Sequence, residues 1–309
     1  MTKTKLNLRD WSAAIVLGVL LLLLAVVAPA FYQPQPQLSL LAREAPSLVV
    51  ACGAALIIVC RQIDISVGSQ FAVCSVAAGL LATQGLSLLL VVPLAIVIGA
   101  GLGAINGVLV AGLRLPSIVV TLATLVTWRE GLRWWRQGQF VDLPEGTQWL
   151  GLSQAAGQWT LISVAVGLLL ALAWATKHLS LGRFIYAVGS DAEAARLSGI
   201  RPQMVTFLVF VLMGALVGLA AVMNLVQSPQ VDPKSGSGLE LKVIAAVVVG
   251  GVEITGGRGK LWGVLAGLLL LACIGPALTH LHIEAYWEKA IQGGIILLAV
   301  VADGLRHRQ

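Results

Sequence analysis

Apolar runs follow one another through the chain, at residues 11–30, 46–60, 67–84, 87–112, 116–132, 159–176, 203–226, 240–255, 261–279 and 287–304. A segment in hydrocarbon must satisfy its own backbone N–H and C=O groups, so repeated runs of this kind fold as helices. A full crossing takes roughly 20 residues. Runs 46–60, 116–132 and 240–255 fall short and are expected to be tilted, broken or re-entrant. The sequence therefore predicts an all-α polytopic membrane protein with about ten transmembrane helices, eight at the fewest. Charged residues make up 11% and hydrophobic ones 58%, against about 25% charged in soluble domains. That balance excludes a soluble globular enzyme, a disordered chain and a secreted disulfide scaffold. Residues 1–309 form one transmembrane domain with short loops. Cys52, Cys60, Cys74 and Cys273 all lie inside apolar runs without metal-ligand spacing. They read as small hydrophobes in helix packing, and no metal site is expected.

The net charge of +6 does not point to nucleic acid here, because basic residues concentrate in cytoplasmic loops of membrane proteins. With the N-terminus inside, Lys3, Lys5, Arg9, Arg61, Arg114, Lys177, Arg183, Arg196, Arg201, Arg258, Lys260, Arg306 and Arg308 are cytoplasmic. Arg43, Arg129, Arg133, Arg136 and Lys234 are outside, and Lys242 and Lys289 fall within spans. The bias predicts both termini inside. The first span follows Lys3, Lys5 and Arg9 in the manner of a signal peptide. Pro29 spoils the only small-residue cleavage site, so a retained span fits better. Two loops stand out. Residues 177–203, inside, read as a short amphipathic helix. Residues 133–158, outside, hold Trp134, Trp135 and Trp149, suited to the membrane interface or to stacking on a sugar. Gly99, Gly103 and Gly107, Gly214 with Gly218, and Gly263 with Gly267 recur every four residues, which puts small residues on one helix face for close packing. A five-residue echo of Pro46–Val50 at Pro116–Val120 is too short to establish a repeat.

Covalent chemistry has little to work with. Gly259-Lys260 lacks the rest of a Walker A motif, and Gly101-x-Gly103 lies in a membrane run with no strand before it. His280 and His282 read as solvated. Polar residues at membrane depth then carry the information, since they are costly unless they face protein or water. Asp64 is three residues from Arg61, a spacing that lets the two pair across a helix break; contact with a substrate is the other reading. Asn106 either bonds a neighbouring helix or lines a path. Glu240 and Glu253 flank an apolar stretch and read as solvated at membrane edges.

Four ordered stretches carry a family resemblance: Ile63–Ser69; Asn106-Gly107 through Leu115-Pro116-Ser117 to Leu122; Gly182-Arg183, Tyr186–Gly189 and Glu193–Ile200; and Gly238–Ala246 with Gly250-Gly251 and Gly256–Gly259. They span residues 61–267 and resemble the membrane permeases of ABC-type sugar importers, the ribose/xylose/arabinose group. Ser117 stands where that family often has Pro, Asp191 where it often has Asn, and Gln62 where it has Gly. Arg61 and the stretch 128–135 are most similar to rhamnose-type permeases, with autoinducer-type next.

The resemblance implies a permease in the bacterial inner (plasma) membrane, paired with a second permease subunit, identical or related. Cytoplasmic ATP-binding subunits would hold the ATP and Mg, leaving this chain without a cofactor. An external sugar-binding protein would deliver a monosaccharide, rhamnose first, with autoinducer-type or pentose import as the alternative. Within 177–203, Asp191, Glu193, Ala194, Ala195, Arg196, Leu197, Ser198 and Gly199 are expected to couple to the ATPase: small residues let a partner cleft close, and charges fix register. The translocation path is expected to use Asp64, Ser66, Ser69, Asn106, Thr121 and Thr124. Arg129, Arg133 and Arg136 would dock the binding protein or touch lipid phosphates. A secondary transporter would need a coupling-ion site, and only the Asp64 region offers an acid at depth.

Overall fold

The computed structural model describes residues 8–280 and several positions between 284 and 297. Half of the expected last span, 287–304, lies outside the described residues, although 289–295 are helical. Residues 1–7 and 298–309, with Lys3, Lys5, Arg306 and Arg308, also lie outside the described residues.

Eleven described helices follow in order: α1 (Leu8–Val27), α2 (Pro34–Val59), α3 (Val67–Thr83), α4 (Leu88–Gly107), α5 (Ser117–Arg136), α6 (Gln154–His178), α7 (Ser180–Ser190), α8 (Ala192–Leu197), α9 (Pro202–Leu225), α10 (Leu239–Val249) and α11 (Leu261–His280). Among the described residues the exception to an all-α chain is a two-residue antiparallel ribbon, β1 (Val141–Asp142) with β2 (Gln230–Val231).

Among the described residues, five helices are long and apolar enough to cross a membrane alone: α2, α4 with its π-helical extension to Gly112, α6, α9 and α11. The apolar part of α1 and all of α3 are shorter. The fifth helix reaches 20 residues, but Arg129, Glu130, Arg133 and Arg136 fill its last two turns. The expected span 240–255 is broken: α10 stops at Val249 after 11 residues, about 16 Å of helix and half of a hydrocarbon core.

The expected short span 46–60 is instead the C-terminal part of α2, which runs for 26 residues with Pro46 inside it. A proline removes the N–H that would bond the carbonyl four residues earlier. Here that carbonyl is Ala42 O, and Gln227 Nε2, just past α9, donates to it at 3.2 Å. The helix continues through its proline because another segment of the chain supplies the missing donor. From Glu44 to Val59 every residue of α2 is buried, so α2 is the axis of the bundle.

The glycine repeats lie where helices touch. A Cβ at Gly99 or Gly103 would strike the backbone carbonyls of Gly214 or Phe210, and one at Gly214 would strike Gly99 O. Thus α4 and α9 meet backbone to backbone, as α10 and α11 do through Gly250 and Gly263. All four cysteines are buried and free.

Candidate functional site

Three places hold the polar residues singled out above, and the first is the break between α2 and α3. Arg61 has a left-handed backbone, φ +60°, which reverses the chain as α2 ends. The strand-like residues that follow deliver Asp64 to the start of α3. Its Oδ1 accepts the Ser66 backbone N–H at 2.9 Å and the Ser66 hydroxyl, and its Oδ2 accepts Gln70 Nε2 at 3.0 Å. Ser66 Oγ in turn accepts Gln70 Nε2 and, from α4, Asn106 Nδ2, each at 2.8 Å. The first turn of α5 clasps the same segment: Ile63 N–H donates to Ser117 Oγ and Thr121 Oγ1 reaches Ile63 O, both at 3.3 Å.

Five of the six expected path residues are therefore brought to one place. Ser66, Ser69, Asn106 and Thr121 are 0% exposed and Asp64 is 5% exposed. In this conformation they face one another and not an opening. Thr124 stands apart, its hydroxyl turned back to Val120 O. Gln70 is the member that sequence reasoning missed. Its signal was available: a polar residue four after Ser66 shares that face of α3.

The expected Arg61–Asp64 pair does not form. The left-handed turn sends the guanidinium the other way, where Nε donates to Thr255 O at 2.7 Å and Nη2 to Ser190 O at 2.8 Å. Gly257 N–H donates to Val59 O at 2.8 Å. The end of α2 is thereby fastened to the α7–α8 junction and to the loop after α10.

That junction is the second place. The expected single amphipathic helix is two, α7 and α8, separated by Asp191 in an extended conformation. Asp191 Oδ1 accepts the N–H groups of Glu193 at 2.9 Å and Ala194 at 3.0 Å, an N-terminal cap. The Ala194 and Glu193 amides, with a smaller contribution from the Arg61 charge, hold its carboxyl below the usual carboxylate range. Glu193 and Arg196 form an exposed ion pair at 2.6 Å. The helix stops at Ser198, and Gly199 takes φ +85°. Leu197 is 79% exposed, with Glu193, Ala194 and Arg196 beside it on the surface. Ala195 is different: it is 4% exposed and packs on its own chain, so it does not belong to an outward face.

The third place is the far end of α5. The three arginines do not present charge together. Arg129 is half-buried and donates to Ser235 O at 3.0 Å. Arg136 reaches Gln139 O and Phe140 O and lies over the Trp135 ring. Arg133 is exposed and paired with Glu130 at 2.9 Å. Trp134 and Trp135 are exposed, as interfacial side chains are. Trp149 is held by its backbone N–H on Val226 O at 2.7 Å.

Residues 38–300 match a family model described as branched-chain amino acid transport system / permease component. The chain is 36% identical over 308 residues to the autoinducer 2 import system permease protein LsrC of Enterobacter sp. (strain 638), covering 99% of this chain and 90% of that one. It is 33% identical over 311 residues to LsrC of Salmonella typhi, covering 98% and 88%. It is also 31% identical over 310 residues to the ribose import permease protein RbsC of Escherichia coli K12, covering 98% and 96%. No solved structure matches.

Proposed function

This chain belongs to the branched-chain amino acid transport system / permease component family and is a multi-pass inner-membrane protein, and from that premise we propose that it is the membrane subunit of an ATP-driven monosaccharide importer. ATP and its Mg would be bound and hydrolysed on separate cytoplasmic subunits. An external binding protein would deliver the sugar, with Arg133 on the docking face. A second permease, identical or related, would complete the membrane unit.

The observation that carries this reading is α8. It is a capped, six-residue helix on the surface, rigid at its base and bearing an uncovered leucine. An exposed apolar tip ringed by charge suits insertion into a partner's cleft. Arg61 fastens the base of this knob to the end of the central helix, so motion of the knob reaches the core directly. Alternating access then consists of parting α5 from the Ile63 segment that leads into α3. The two 3.3 Å hydrogen bonds between them are long and separable, and their release would turn Asp64, Ser66, Ser69, Asn106 and Thr121 toward the path, with Thr124 one turn beyond. Residues of this kind offer a sugar scattered weak hydrogen bonds, which permit release.

The names of the relatives support autoinducer 2 or ribose as cargo; the likeness at Arg61 and 128–135 supports rhamnose. The test is ATP hydrolysis in liposomes holding this chain and the ATPase encoded beside it, with the neighbouring binding protein and each of the three sugars. Stimulation by one sugar supports the importer and names its cargo. Failure of the purified chain to associate with that ATPase overturns the reading. Within the complex, Leu197→Asp should abolish association while leaving the chain folded.

A further inference from the structure

Between α2, α10 and the helical residues 289–293 lies an open cavity of about 1070 Å³. It is slightly larger than the usual small-molecule site, roughly 300–1,000 Å³. Arg43, Lys242 and Lys289 line it together with Ser47, Asn224 and Ser237, and among the described residues no acidic side chain does. Lys242 is neutralised from behind by Glu44, which accepts its ammonium at 2.6 and 2.8 Å and is itself 6% exposed. Arg43 and Lys289 have no ion pair among the described residues.

Arg43 sits about 14 Å along α2 from its first residue, at 1.5 Å per residue. Like charges gathered on one concave wall leave a positive field that an anionic group would answer. The start of α10 at Leu239 also reaches the cavity wall, but its positive end is already answered by Glu240, whose Oε1 accepts the Gly238 N–H at 3.3 Å, so the side chains of Arg43 and Lys289 carry the unanswered charge. Glu240, in the first turn of α10, does not line the cavity and lies against Gly68.

We infer that this cavity is a binding site for a small molecule carrying an oxyanion beside hydroxyl groups, with Arg43 and Lys289 on the anionic oxygens and Ser47, Asn224 and Ser237 on the hydroxyls. This chemistry has two sources. A phosphorylated or acidic sugar brings it from the aqueous side, and a phosphatidylglycerol headgroup brings it from the bilayer. The inference does not depend on transport, because it concerns equilibrium binding to this chain alone.

The experiment uses the full chain in nanodiscs of phosphatidylcholine and measures binding of ribose 5-phosphate, glycerol 3-phosphate and ribose. Both phosphates should bind more tightly than ribose and more weakly as salt rises. Arg43→Gln and Lys289→Gln should each weaken phosphate binding about tenfold, near 1.4 kcal/mol, with ribose binding unchanged. Retained association with the ATPase reports that each variant is folded. Nanodiscs containing phosphatidylglycerol supply the second arm. Loss of soluble-probe binding there, with lipid retained by the wild type and not by Lys289→Gln in native mass spectrometry, assigns the site to lipid. Equal affinity for ribose and its phosphate, or binding and lipid retention indifferent to both substitutions, overturns the inference. An importer that works while these results are negative would retain the proposed function and lose only this site.

Discussion

A methyl group added at Gly99 would lie 2.1 Å from Gly214 O, whereas one added at Gly101, on the same helix, meets nothing within 4 Å. Gly99→Ala should therefore destabilise the chain by about 1–3 kcal/mol, the usual cost of overpacking, and Gly101→Ala should be neutral. Thermal unfolding in detergent reads the contrast; equal effects would mean that α4 and α9 are not in backbone contact. Asp64→Asn is a second case. It puts an amide N–H₂ where either the Ser66 donors or Gln70 Nε2 now find an oxygen. An unmade buried hydrogen bond costs about 1–3 kcal/mol, so the same assay should show a loss in that range. At this scale the glycines were legible, because their period states which face is small. The partners of Asp64 were legible only in part. A three-residue spacing suggested Arg61, and nothing in the order of residues announced the left-handed turn that separates them.

The second helix shows what a proline does and does not say about an element. Pro46 marks a missing N–H, and it was read as the edge of a span. Whether that gap ends a helix depends on a donor 181 residues away, Gln227, and no local pattern contains it. Gln227→Leu should strand Ala42 O and lower stability by roughly 1 kcal/mol, against a smaller loss for Gln230→Leu, whose hydrogen bond to Asp142 Oδ1 at 2.7 Å is exposed. α8 gives a prediction in pH. Its capping carboxyl has a folded-state pKa below the unfolded value near 3.9. The cap's contribution is present above that unfolded value and is lost as pH falls through the folded one. Asp191→Asn keeps an oxygen for the two amides and loses this acid sensitivity, while Asp191→Ala loses the cap at every pH. Hydrogen exchange of the Glu193 and Ala194 amides distinguishes the three proteins. The coupling segment was legible as an amphipathic stretch with small residues. Its division into two helices, and the inward turn of Ala195, follow from how α7 packs on the core.

For the molecule as a whole, the basic-loop bias predicts α8 inside and the end of α5 outside. All four native cysteines are buried, which leaves a quiet background for single-cysteine labelling with a membrane-impermeant reagent. Cysteine at Leu197 should react only when the cytoplasmic face is open, and cysteine at Trp134 only from the exterior. The reverse result would invert the chain in the membrane. The number of crossings was the least legible property. Hydropathy reports how apolar a run is, and a half-helix such as α10 is as apolar as a full one; ahead of it the loop at Gly236 dips to meet Gly68 and Phe71.

The burial of α2 has a consequence for how the protein is made. In its most apolar stretch 94% of the residues are covered by other parts of the chain, and it is held at both ends, by Gln227, just past α9, on Ala42 and by Thr206 of α9 beside Cys60. Yet α2 is complete at Val59, and α9 only at Leu225. At about 5–20 residues per second of synthesis, the second helix waits some ten to thirty seconds for the ninth. Through that interval the segment destined for the centre is a newcomer at the periphery, its broken carbonyl at Ala42 unanswered. The helix that finally organises the bundle is among the first to be translated and the last to be enclosed.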